Sequence, residues 1–287
     1  MRRFALTAFT LAGLILSTLA AAPSAQADDW NKSYKLTGRP HLHVTTNDAH
    51  IDLYASDAQQ IDAHVTTRGW TIGDRGVKIT ESQSGNDVTL DVHVPSIHFS
   101  FGWNNRSARI ELHVPHDADL DVQTGDGSVT SEAFNGQIRI STDDGNIDAH
   151  GLKGDLHLHS GDGHIEGDNI DGSLRADSGD GHIRVRGRFD ALEIKTGDGS
   201  VTAEAVSGSK ISGEWNLRSG DGSVTLRLAE GLDADLEADT GDGSINLDFP
   251  VTVSGSMSRS RIHGKMGNGG PPLVVHTGDG SIHIEKI

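Results

Sequence analysis

Carboxylates at a fixed spacing are the first residues in this chain able to do chemistry. Asp126, Asp144, Asp162, Asp180 and Asp198 follow one another at intervals of 18, each within a phrase close to Thr/Ser-Gly-Asp-Gly-x-Val/Ile. Later copies place Asp221, Asp242 and Asp279 at intervals of 23, 21 and 37. If the copies stack, the five regular carboxylates form a column, and like charges about 4.8 Å apart repel by on the order of 1 kcal/mol per pair. Ca²⁺ seated between oxygen-rich turns would relieve that repulsion. The alternative is that Asp-Gly is a favoured tight turn whose carboxylate faces water. His164 and His182 share one position of the phrase in adjacent copies, with His157 and His159 just upstream. Stacked imidazoles beside Asp162 and Asp180 suit Zn²⁺, and exposed polar histidines are the plainer reading. A third candidate is SIHFSFGWNNRSA, which carries Phe99, Phe101 and Trp103. Exposed aromatics in a polar loop mark contact sites, although the same loop could lie as a lid over an open end of the fold.

The elements that must position these groups are strands. Before each phrase, apolar residues recur as Leu120, Ile138, Leu156, Leu174 and Leu192, followed two positions on by Val122, Ile140, Leu158, Ala176 and Ile194. After it come Val129, Ile147, Ile165, Ile183 and Val201. Alternation of this kind gives a strand with one buried face. Gly125, Gly127, Gly161, Gly163, Gly179, Gly181, Gly197 and Gly199 form the first turn of each period. Gly136, Gly154, Gly172 and Gly208, with Asp190 in one period, mark a second turn that suits a positive φ. Thr124, Thr142, Ser160, Ser178 and Thr196 lie in register with the inward columns, where their hydroxyls can bond neighbouring coils.

An 18-residue period of strand, turn, strand, turn leaves no place for a helix, and a single coil buries almost nothing. The pattern therefore predicts an all-β fold, a single-domain β-solenoid like a parallel β-helix, with 18-residue coils stacked in parallel. An antiparallel meander turning at Asp-Gly shares the alternation but has no need to keep residue identity every 18 positions. Residues 28–115 lack the phrase yet keep the alternation, and read as irregular coils or an N-terminal β cap. Residues 116–287 read as the regular repeats, with a Ser/Gly-rich loop at 251–272 that carries Arg259, Arg261 and Lys265.

Residues 1–27 have the form of a signal peptide: Arg2 and Arg3, an apolar run, then Ala25-Gln26-Ala27. The expected product is exported to the periplasm or the cell surface, with no membrane span after the leader is removed. Without Arg2 and Arg3 the chain has 22 Lys plus Arg against 41 Asp plus Glu, a formal net charge of −19. Such a surface repels nucleic acid. There is no cysteine, so disulfides are excluded.

The repeated phrase, together with RIELHVPHDADLDV upstream and GNGGPPLVVHTGDGSIHIEKI at the end, resembles the bacterial putative-adhesin β-strand-repeat proteins, a domain of unknown function. The resemblance spans roughly residues 40–287 and implies an exported β-solenoid of the cell envelope, with no catalytic residues to carry over. The expected function is a non-catalytic scaffold or adhesin-like binding protein whose partner is an envelope protein or glycan. A calcium-binding or carbohydrate-active parallel β-helix is the alternative. Asp121 one period before Arg139, Glu166 before Arg184 and Asp168 before Arg186 look like charge pairing between coils rather than an acid and a base aimed at a substrate. The coils also lack the aromatic row on which sugar rings would stack.

Overall fold

The computed structural model describes residues 27–95, 106–253 and 258–287. Among them every regular element is a β-strand, and all the strands join one hydrogen-bonded sheet. The N-terminal strands are β1 (Ala27–Lys35), β2 (His41–Thr46), β3 (His50–Ser56), β4 (Gln60–Arg68), β5 (Lys78–Ser84), β6 (Asp87–His93) and β7 (Ser107–Pro115). The middle holds β8 (Asp119–Thr124), β9 (Val129–Glu132), β10 (Asn135–Thr142), β11 (Ile147–His150), β12 (Lys153–Ser160), β13 (Ile165–Ser178), β14 (Ile183–Thr196), β15 (Val201–Ala205), β16 (Trp215–Ser219) and β17 (Val224–Leu228). The chain ends with β18 (Ala234–Thr240), β19 (Ile245–Leu247), β20 (Val251–Val253), β21 (Arg261–Met266), β22 (Pro272–Thr277) and β23 (Ile282–Lys286).

Two walls face each other across the core. The first contains the strands before each phrase: β8, β10, β12 and the latter halves of β13 and β14 lie parallel, with Leu120, Ile138, Leu156, Leu174 and Leu192 side by side. The second contains the strands after it, with Val129, Ile147, Ile165, Ile183 and Val201 in one row. These parallel registers exclude the antiparallel meander for the repeats. Both rows are buried, so each coil's apolar residues complete the core of its neighbours. Where β13 passes beside β14 the register shifts between Gly172 and Ser173, and the core beyond is filled by Phe189 and Trp215, edge to face at 6.3 Å.

The ends of the stack are not in chain order. The coil β2–β3 lies directly against β8–β9, while β6 and β7 stack on its other side. Antiparallel strands then finish this end: β5 on β6, β4 on β7 and β1 on β4. At the far end β22 and β23 run parallel between β16–β17 and β18–β19, so the final coil in sequence is last but one in space. Residues 251–272, expected as a loop, instead hold β20 and β21: β21 pairs antiparallel with β18 and satisfies its outer edge, and β20 pairs antiparallel with β21. The segment carrying β20 and β21 accounts for the long interval between Asp242 and Asp279.

Candidate functional site

The repeated phrase forms one edge of the solenoid, and its hydroxyl column is the mechanism of stacking. Thr142 Oγ1 donates to the carbonyl of Gly125 at 2.8 Å and accepts from the Gly145 amide at 2.9 Å. Ser160 repeats this between Gly145 and Gly163, both at 2.9 Å, and Ser178 between Gly163 and Gly181 at 3.1 and 3.0 Å. Each hydroxyl thus closes its own turn and ties it to the coil beside it, satisfying groups that burial would otherwise strand. None of the phrase glycines has a positive φ; they are glycine because coils approach too closely for a side chain. A Cβ at Gly163 would sit 2.0 Å from the Gly145 carbonyl oxygen. At the second turn Gly154, Gly172 and Gly208 do have positive φ, but Gly136 does not, and there a Cβ would meet the Ala118 carbonyl oxygen at 2.1 Å.

The carboxylates of Asp126, Asp144, Asp162, Asp180 and Asp198 stand on this edge and are exposed, while their backbone amides bond the coil beside them. Asp48 extends the column by one coil, and partial burial followed by the charge of Asp126 pushes it above the ordinary carboxylate range. Among the described residues no three His, Cys, Asp or Glu side chains converge as a metal site would require.

The variable position of the phrase is a second ladder, which the sequence reading noticed only at its histidines. Ser128 Oγ accepts from the Asn146 amide at 3.3 Å, Asn146 Oδ1 from His164 at 2.9 Å, His164 Nδ1 from His182 at 3.1 Å and His182 Nδ1 from Ser200 at 2.9 Å. The two imidazoles stack with centroids 5.2 Å apart and planes 14° from parallel. With Nδ1 of each ring accepting a backbone proton, the position selects a side chain able to accept, whether Ser, Asn or His.

On the outer face of the first wall, Asp121, Arg139, His157 and Arg175 form a row across β8, β10, β12 and β13. Two adjoining shallow hollows of about 400 and 420 Å³ flank that row. One bank carries Asp119, Gln137 and Asp155; the other carries Ser141, His159 and Asp177. Arg175 bonds Asp177 at 3.0 Å and Glu193 at 3.1 Å, and Arg39 bonds Asp119 at 2.7 Å. The expected pairing of Asp121 with Arg139 does not form, because the Asp121 carboxylate meets His43 Nδ1 at 3.1 Å instead. Among the described residues the Arg139 side chain makes no ion pair or hydrogen bond. Half-buried His157, next in the row, is lowered from its ordinary value by burial and by the charge of Arg139. Of the other expected pairs, Arg186 reaches Asp168 at 3.7 Å, whereas Arg184 and Glu166 lie side by side without bonding. Phe99, Phe101 and Trp103 fall outside the described residues, as do residues 1–26 of the expected signal peptide.

Nothing among the curated proteins matches the chain in sequence. A family model described as Toastrack DUF4097 matches residues 40–285. The chain belongs to the Toastrack family. Three solved structures illustrate what this Toastrack chain is similar to. A putative adhesin from Bacteroides fragilis is 13% identical over 90% of this chain and 97% of its own, with a TM-score of 0.44. A putative lipid binding protein from Parabacteroides distasonis is 14% identical over 92% and 98%, with a TM-score of 0.36. A putative cell adhesion protein from Clostridium sporogenes is 11% identical over 91% and 100%, with a TM-score of 0.31. Toastrack membership accords with the resemblance to the putative-adhesin β-strand-repeat proteins.

Proposed function

We propose that this Toastrack chain is an exported, non-catalytic envelope protein that binds an envelope protein or glycan along the outer faces of its solenoid. The observation supporting this reading is the long run of outward polar residues held in strict register, each coil bonded to the next through both its backbone and its hydroxyl column. A surface so fixed presents the same pattern of charge at each encounter and loses little freedom on binding. On the second wall, opposite charges stack between coils, Arg186 on Glu204 at 2.8 Å and Arg227 on Glu285 at 3.0 Å, leaving a patterned face rather than one of a single sign.

The test is capture from envelope fractions on the immobilised mature protein, compared with a chain lacking residues 96–107 and a chain with the first-wall row substituted. A specific glycan or protein lost only with the row supports binding on the solenoid face. Loss with residues 96–107 places binding at Phe99, Phe101 and Trp103 instead. Release of reducing ends from envelope polysaccharide would overturn the non-catalytic reading.

A further inference from the structure

Arg139 stands apart on a chain whose formal net charge is −17. It lies in register between Asp121 and His157, yet the Asp121 carboxylate is engaged by His43, a residue brought alongside by the stacking of β2 on β8. The next cation in the row, Arg175, is already neutralised by Asp177 and Glu193. His157, between the two arginines, is half-buried, disfavoured as a cation by burial and by both arginines, and lies 3.6 Å from the Asp177 carboxylate, so among the described residues Arg139 is the one uncompensated positive group in the two hollows.

The banks restrict what it can receive. Gln137, Asp155, Ser141 and His159 make no side-chain hydrogen bonds among the described residues, so both donors and acceptors are available. A bare phosphate approaching Arg139 would bring a second negative charge against Asp121 and Asp155, whereas a carboxylate brings only the one that Arg139 balances. A ligand with one carboxylate and many hydroxyls meets both conditions: the carboxylate forks onto the guanidinium, and the hydroxyls donate to Asp155 and accept from Gln137. The hollows run along the stack, where each coil advances by about 4.8 Å, close to the length of one pyranose in a chain.

Building on the binding role proposed above, we propose that the Arg139 row of the first wall binds an acidic oligosaccharide, with a uronate carboxylate on Arg139. The experiment is isothermal titration of the mature protein with an oligosaccharide carrying a single uronate among neutral sugars, and with the same oligosaccharide after reduction of its carboxyl group. The acidic form binds, with an affinity that falls as salt rises; the reduced form binds at least tenfold more weakly. Arg139→Ala weakens the acidic ligand about tenfold to a hundredfold, the range of a charge-assisted hydrogen bond, while Arg184→Ala on the second wall leaves it unchanged. Arg139 is exposed, so a melting midpoint equal to the parent's verifies the variant's fold. No binding of the uronate-bearing oligosaccharide, equal binding of the reduced form, or indifference to Arg139→Ala overturns the proposal. Envelope capture that persists alongside any of these results leaves the broader role standing; absence of all envelope capture defeats that role as well.

Discussion

Adding a methyl group at Gly163 tests the stacking mechanism where two coils approach closely. The new Cβ would lie 2.0 Å from the Gly145 carbonyl oxygen, 2.5 Å from its carbon and 2.8 Å from Ser160 Oγ. Two of these atoms are backbone of the adjacent coil, so a rotamer change cannot relieve the clash. Reaching 3.0 Å requires the coils to part by about 1 Å, against a ladder spacing of about 4.8 Å. The separation strains the two bonds that cross between the coils, Ser160 Oγ to the Gly145 carbonyl at 2.9 Å and the Asp162 amide to the Asp143 carbonyl at 3.0 Å. Overpacking costs about 1–3 kcal/mol and each weakened hydrogen bond roughly 1 more, which places Gly163→Ala at about 3–5 kcal/mol. For a chain of this size that is a fall of roughly 10 °C in melting midpoint. Gly213 is the control, since a Cβ there meets nothing within 4 Å and its φ is ordinary. Thermal and urea unfolding followed by circular dichroism should show a large loss for Gly163→Ala and almost none for Gly213→Ala. Equal midpoints for Gly163→Ala and the parent would refute the close-approach account of the glycines.

Other consequences are open to the same assays. Ser160→Ala leaves the Gly145 carbonyl and the Gly163 amide without their partner and should cost about 2 kcal/mol, whereas Ser160→Thr, matching Thr142 in the preceding coil, should cost little. At the variable position, His164→Ser keeps an acceptor for the His182 amide and His164→Ala does not, so the alanine variant alone should lose about 1 kcal/mol. Asp48 is raised above its ordinary value of 3.8 by burial and then by Asp126; a raised acid favours the folded state below that value, and the benefit vanishes as pH rises through the folded pKa. Asp48→Asn should therefore raise the midpoint at pH 7, where the ionised pair repels, and not at pH 3. Excess chelator should leave the midpoint unchanged if the carboxylate column is solvated, and a drop would reveal Ca²⁺ between coils.

The repeat itself carried much of this fold. Inward columns such as Ile138, Leu156 and Leu174 and the hydroxyls of Thr142, Ser160 and Ser178 are legible because a side chain's wall and depth follow from its place in an 18-residue period. The acceptor ladder from Ser128 to Ser200 was equally present in the period, but its members differ in type, and only their shared ability to accept a proton links them. Tertiary structure alone decided what lies beside what at the ends. That β22 enters between β16 and β18, and that β21 turns back along β18, depends on which strand edges remain open, a competition among hydrogen bonds remote in sequence. The same non-sequential stacking sets His43 against Asp121 and takes from Arg139 the partner its own period offered. Local periodicity determines the direction of a side chain; the identity of its neighbour belongs to the packed stack.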